Sequence, residues 1–596
     1  MTGRIVPDNA SGVNLVFERD VEIPMRDGVV LRADVCRPAG EGTHPVLLQR
    51  TVYNKSTVEP PLASVRGPAM LDIIRAASNG YAMVIEDERG RFASDGEFRL
   101  FEDAGDDGYD SVEWCASQRW SNGRVGMYGI SHVGLVQWLA ALTTPPHLVC
   151  IAPWMSASNL WANWIMRNGV LELAFTTSWT AGNLAVGALA REDDPVRSER
   201  LGRLRGRLRE MRAMYDRLPV GEFPEVEGLV PSFADWVDHP AYDEFWERFD
   251  IEAHYEQITV PAFHMVGWYD IFLDGSLRNF SGMRERGGSP TAKDGQKLVL
   301  GPWTHTAPDA GRMLPSQSGD LDFGMEAALE FDSPLLRWFD RWLKGDGTAP
   351  AGERPISLFV MGENTWRDED EWPLARTRWT SYFLHSGGSA NTLDGDGRLD
   401  TEPPSGDEPA DVFVYDPGDP TPSVGGSQCC WAWDSPAGAH DQRPVERRDD
   451  VLVFTTETLD GPVEVTGPVV VHLFASTSVF DTDFTATLVD VHPCGYAQNL
   501  QVGIVRGRFR ESRTDPSLLT PGQVYELTVD LWSTSNVFGA GHRIRLDIAS
   551  ASFPKFDRNP NTGGPLFRDA RLQAATQRIW HDRSHPSHVV LPVIPR

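Results

Sequence analysis

The sequence predicts an α/β fold with an inserted helical cap and an appended all-β domain. Three observations carry that prediction. Strand-like and helix-like segments alternate through residues 20–150, the pattern of a parallel sheet covered by helices on both faces. Across 156–255 helical periodicity with several tryptophans replaces the strand pattern. After 353 short alternating apolar runs recur with Gly, Pro, Asp and Ser between them, which is how a sandwich or jelly roll reads.

In chain order, the first part of the α/β domain (1–155) has strand-like runs at Val29-Val30-Leu31, Val46-Leu47-Leu48, Ala82-Met83-Val84-Ile85 and Leu148-Val149-Cys150-Ile151. Turn signals at Arg89-Gly90 and Asp95-Gly96 and a helical pattern over 108–117 separate them. The cap (156–255) includes a basic amphipathic run over 198–217. Strands return at 258–266 and 297–300 in the second part of the α/β domain (256–352). A helix over about 333–343 closes that part, with Pro334 in its first turn and Gly345 at its stop. The jelly-roll domain (353–596) has runs at 356–361, 451–455, 469–474, 484–491, 525–531 and 544–548.

A net charge of −29 argues against nucleic acid and anionic membranes as partners. Residues 1–12 show no apolar core of a signal peptide, and no run of about 18 apolar residues appears, so a cytoplasmic protein without a membrane span is expected. Six cysteines in this length make no disulfide framework. Cys36, Cys115, Cys150 and Cys494 read as small core residues, and the adjacent pair Cys429-Cys430 lacks zinc-site spacing. Asp481, Asp483 and Asp490 read as a solvated strand face rather than a calcium loop. No phosphate-cradling or dinucleotide fingerprint is present, and neither metal nor cofactor is expected. The oligomeric state stays open, a homodimer included.

The chemistry centres on Val125-Gly126-Met127-Tyr128-Gly129-Ile130-Ser131-His132-Val133-Gly134. An apolar run, a glycine, a serine and a helical pattern describe a sharp strand-to-helix turn that presents a serine hydroxyl above a sheet. A serine nucleophile needs a base and an acid to orient the base, in the chain order Ser, Asp, His on this type of sheet. Asp270 ends Gly267-Trp268-Tyr269-Asp270 and His305 ends Gly301-Pro302-Trp303-Thr304-His305, each directly after a strand-like run. His132 is a rival base, but a residue after the nucleophile supplies its backbone N–H to the oxyanion while its side chain points away.

The glycine two residues after the serine is missing, and Gly134 stands one later. This Gly-x-Ser-x-x-Gly, with Arg50-Thr51-Val52-Tyr53-Asn54-Lys55, Asp87-Glu88-Arg89-Gly90, Gly96-Glu97-Phe98, Tyr415-Asp416-Pro417 and the two motifs ending at Asp270 and His305, resembles the cocaine esterase-like hydrolases. That family belongs with the X-prolyl dipeptidyl-peptidases and α-amino acid ester hydrolases. The resemblance spans nearly the whole chain and implies an α/β-hydrolase core, a helical cap and a C-terminal jelly roll. It implies Ser131 as nucleophile, His305 as base and Asp270 as acid. It further implies that the Tyr53 hydroxyl donates to the oxyanion beside the His132 N–H. Where the family commonly has tyrosine, this chain has His132. The resemblance also implies that Trp161, Trp164, Phe175 and Trp179 of the cap, with Phe272, line an aromatic acyl pocket.

The expected function is cleavage of a small-molecule carboxylic ester with a bulky apolar or aryl acyl group, through an acyl-enzyme on Ser131. The amine-binding acids of the ester hydrolase branch that follow its catalytic Asp are replaced here by Phe272 and Leu273, with Asp274 close by. Amide or X-Pro peptide cleavage, or acyl transfer, is the alternative with the same triad. A non-catalytic carbohydrate-binding protein is the alternative from another class.

Overall fold

A computed structural model describes all residues except 1–3, 8–13, 57–70, 193, 306–312, 346, 348–351 and 431–434. The first sheet begins with β1 (Arg4–Pro7), β2 (Asn14–Pro24), β3 (Val30–Pro38), β4 (His44–Thr51), β5 (Ala82–Asp87), β6 (Ser121–Ile130) and β7 (Leu148–Trp154), in the order β1-β2-β3-β5-β4-β6-β7. A second sheet of β8 (Phe263–Tyr269), β9 (Lys297–Thr304), β10 (Ile356–Val360) and β11 (Thr365–Glu369) continues it. The join is a parallel bridge between Ile151 and Ala262, together with Met155 N–H donating to Met265 C=O at 2.8 Å. From β5 through β4, β6, β7, β8, β9 and β10 every neighbour is parallel. Helices α1 (Ala104–Ser117) and α2 (His132–Leu142) pack on this sheet. Such strands lose water on both faces, which is why β4, β5 and β8 are buried almost end to end and read as continuous apolar runs. All their C-terminal ends point the same way, and turns after β4, β6, β8 and β9 carry Tyr53, Ser131, Asp270 and His305.

Helical segments between Leu160 and Gln257 cover these ends, interrupted by a two-residue hairpin, Met166–Arg167 with Val170–Leu171. Among them are α3 (Leu173–Trp179) and a basic helix at Asp194–Leu208. The β domain contains an eleven-stranded, mostly antiparallel sheet among the described residues. Its strands include β12 (Val463–Thr477), β13 (Asp483–Val491), β14 (Ala497–Arg506), β15 (Tyr525–Phe538) and β16 (Arg543–Ala549). The fold is therefore an α/β-hydrolase core with a cap and a C-terminal β domain.

Two expectations fail here, for the three aspartates and for Cys494. Asp481, Asp483 and Asp490 are buried and paired with Arg508, Arg506 and His542 at 2.7, 2.8 and 2.7 Å. Cys429 and Cys430 are joined as a disulfide between neighbours. Cys494 is exposed, since it sits in the turn between β13 and β14, whereas Cys36, Cys115 and Cys150 are core residues.

The β domain grips both the cap and the parallel sheet. Lys555 Nζ pairs with Glu172 Oε2 at 3.1 Å, both buried, and Ala174 N–H donates to Pro554 C=O at 2.9 Å. From β14, Gln501 Nε2 donates to Trp268 C=O at 2.6 Å. The Tyr269 hydroxyl donates to Asn499 C=O at 3.1 Å. Trp268 and Tyr269 are the two residues before Asp270.

Candidate active site

Ser131 stands between β6 and α2 with φ 64° and ψ −127°, a conformation that non-glycine residues rarely adopt. The turn around it explains both glycines. A Cβ on Gly129 would lie 2.1 Å from Val133 Cγ1, so Val133 folds over the bare backbone. A Cβ on Gly134 would lie 2.9 Å from Trp154 C=O, so the shifted glycine lets α2 approach the end of β7. Ser131 N–H donates to Trp154 C=O at 3.0 Å and is thereby tied to the neighbouring strand.

Asp270 and His305 follow adjacent parallel strands. His305 Nδ1 lies 2.9 Å from Asp270 Oδ2, and Phe272 N–H donates to Asp270 Oδ1 at 2.7 Å. Gly267 makes this possible: a Cβ there would lie 1.9 Å from Trp303 C=O. A bulge between Gly267 and Tyr269 then shifts the β8–β9 register just before the acid. The backbone of His305 bridges to Cys429, so the disulfide pair flanks this histidine.

The Tyr53 hydroxyl lies beside the Ser131 side chain and accepts from Trp179 Nε1 at 3.0 Å. Burial drives its phenol far above the ordinary value, so it keeps its proton as a donor. His132 has its side chain engaged elsewhere. Nε2 lies 2.8 Å from Glu88 Oε1, and the ring stacks on Phe101 at 4.8 Å. Burial alone would raise the Glu88 carboxyl, but His132, Arg50 and Arg91 hold it below its usual value.

Trp164, Phe175, Trp179 and Phe272 form one aromatic wall. Trp164 lies 4.4 Å from Phe272 and 5.7 Å from Trp179, and Phe175 stacks on Trp179 at 5.6 Å. Phe272 meets the His305 ring edge-on at 5.0 Å. Ring by ring, the wall links His305 to Tyr53 and so to Ser131. Trp161 stands outside it: its ring packs on Tyr242 and Phe509 at 6.0 and 5.4 Å, and its Nε1 donates to Pro240 C=O.

Two supporting residues had no role assigned from the sequence, although Glu88 stands in the Asp87-Glu88-Arg89-Gly90 motif. Glu88 holds the His132 ring. Arg91 is fully buried and donates to Leu184 C=O at 3.0 Å and to Val52 C=O at 3.3 Å, joining the loop of Tyr53 to the helix after Trp179. Burial pushes Arg91 down to about 10, still a cation at neutral pH. A lone arginine after a turn announces nothing; its partners lie 39 and 93 residues away. Asp274, the acid nearest the catalytic turn, is taken by Arg278 Nε at 2.6 Å.

Residues 27–307 match the X-Pro dipeptidyl-peptidase (S15 family) profile, and 350–590 match the X-Pro dipeptidyl-peptidase C-terminal non-catalytic domain. The chain is 40% identical over 594 residues to the cocaine esterase of Rhodococcus sp. (strain MB1 Bresler), covering 98% of this chain and 99% of that relative. The chain belongs to the S15 family, in its cocaine esterase-like branch. Among solved structures, this S15 hydrolase is similar to an α-amino acid ester hydrolase, with TM-score 0.78 and 27% identity over 99% of this chain and 98% of that one. It is similar also to an aminopeptidase from a marine sediment Thaumarchaeota archaeon, with TM-score 0.78 and 26% identity over 100% and 99%.

Proposed function

We infer that this serine ester hydrolase cleaves small carboxylic esters bearing an aryl or bulky apolar acyl group, through an acyl-enzyme on Ser131. His305 takes the Ser131 proton through Nε2 while its Nδ1–H is held by Asp270, and Oγ bonds to the acyl carbon. The carbonyl oxygen becomes an oxyanion that accepts from the Tyr53 hydroxyl and the His132 N–H. Collapse expels the alcohol, which receives the proton from His305. Water, deprotonated by His305, repeats the sequence and releases the carboxylic acid.

The observation that supports this reading best is the Trp179 N–H donated to the Tyr53 oxygen. It occupies that oxygen as an acceptor and leaves the phenolic proton for the oxyanion. The same indole belongs to the aromatic wall, so acyl recognition and oxyanion stabilisation share one side chain. The wall of Trp164, Phe175, Trp179 and Phe272 suits flat or bulky apolar acyl groups. Trp161 packs the cap instead. Asp274, neutralised by Arg278, speaks against a required substrate ammonium. No helix among the described residues is long and apolar enough to cross a membrane. A cytoplasmic location belongs to the same proposal.

A panel of aryl and alkyl esters, aminoacyl-proline amides and competing acyl acceptors tests the reading. Benzoyl-type esters should be turned over fastest, and Ser131→Ala should abolish that turnover. Faster release of aminoacyl-proline amides than of any ester would replace it with the peptidase reading.

A further inference from the structure

We propose that the β domain carries a binding site for a divalent transition metal of the zinc class, built from Asp490, His492 and His542. Asp490 and His492 stand two residues apart in the sequence, and strand register brings His542 to them. β13 and β16 are antiparallel with Val491 opposite Arg543, so one further step sets His492 opposite His542. Asp490 lies two residues before His492 and therefore on the same side of the strand. One ligand atom from each of the three side chains falls within 4.8 Å of the other two. The Asp490 side chain is 2% exposed and that of His542 is 18% exposed, which gives a sheltered carboxylate with an opening above it.

Groups behind the three residues orient them, as metal ligands require. Asn536 Nδ2 donates to Asp490 Oδ2 at 3.0 Å, which leaves Oδ1 for a cation. Gln498 Oε1 holds His492 Nε2 at 3.1 Å, which assigns Nδ1 as that ring's ligand atom. His542 Nδ1 lies 2.7 Å from Asp490 Oδ1, and the two imidazoles sit 4.6 Å apart. Tetrahedral zinc with bonds of about 2.0 Å separates its ligand atoms by about 3.3 Å, so Nδ1 and Oδ1 need part by only about half an ångström. Two imidazoles and one carboxylate suit zinc or cobalt, whereas calcium and magnesium prefer all-oxygen shells. Three protein ligands leave a fourth position for water.

The site also has a place in the architecture. Gln498, which holds His492, donates through Nε2 to the Tyr269 hydroxyl at 3.0 Å, immediately before Asp270. A bound ion would fasten the β13–β14 and β15–β16 turns together behind the strand that carries the acid. This inference does not depend on the chemistry assigned to Ser131.

The test is titration of full-length, chelator-treated protein with Zn²⁺ by calorimetry and with Co²⁺ by visible absorption. The expected result is one saturable site per chain, with a rise in melting temperature. His492→Gln and His542→Gln should each weaken the site about tenfold or more, given that even outer-shell losses cost 10–100-fold. His305→Asn should leave it unchanged, which separates the site from the catalytic histidine. The native protein needs no substitution for the first reading, so a variant that misfolds leaves the test intact. Absence of saturable binding to the native protein would overturn the proposal, as would native affinity in both glutamine variants or loss of the site in His305→Asn.

Discussion

The acid–base half of the site is held by backbone, and the oxyanion half by side chains. Asp270 and His305 end adjacent parallel strands, and the residues before Asp270 are gripped from the β domain by Gln501 and Asn499. Tyr53 instead depends on an indole N–H from the cap, and its loop on the Arg91 guanidinium. His132 depends on Glu88 and Phe101. Strand ends are set by a ladder of cooperating hydrogen bonds, whereas a side-chain contact can be removed singly. The acid–base half should therefore fail only when a reacting group is changed. The oxyanion half should be adjustable in steps.

The largest step expected within this comparison is Asp270→Asn. It keeps the hydrogen-bonding shape but holds His305 in the wrong tautomer, and kcat for an aryl ester should fall on the order of 10⁴-fold. Tyr53→Phe removes one oxyanion donor and should lower kcat by about 10²–10³-fold with little change in KM. The native phenol, raised by burial, should keep donating above pH 10, where an ordinary tyrosine of about 10 ionises. A raised folded value preserves the neutral donor as pH rises, so kcat should show no alkaline limb from this group. Trp179→Phe keeps the ring wall but loses the N–H that orients Tyr53. A hydrogen bond of about 1 kcal/mol predicts a kcat lower by about fivefold. Equal losses in Tyr53→Phe and in Tyr53→Phe/Trp179→Phe would show that the indole acts through the phenol. Additive losses would show that it acts on the acyl group alone.

The same comparison explains what the sequence made legible. Ser131, Asp270 and His305 lie in turns whose glycines sit within a few residues of them, so local pattern and chain order suffice to find them. Gly134, which at first breaks the expected turn, is required by the approach of α2 to Trp154. The contact between Trp179 and Tyr53 spans 126 residues, and no local pattern encodes it. Asp481, Asp483 and Asp490 read as solvated for the same reason: their partners Arg508, Arg506 and His542 lie 27, 23 and 52 residues away. Trp161 is as aromatic and buried as its neighbours but faces Phe509 of the β domain, a direction that composition cannot supply.

The most direct measurement is labelling by an aryl phosphonate, followed by peptide mapping. The account predicts one adduct, on the peptide containing Ser131, lost in Ser131→Ala and slowed in Tyr53→Phe. Equal labelling of native protein and Ser131→Ala, or an adduct on another residue, would contradict it.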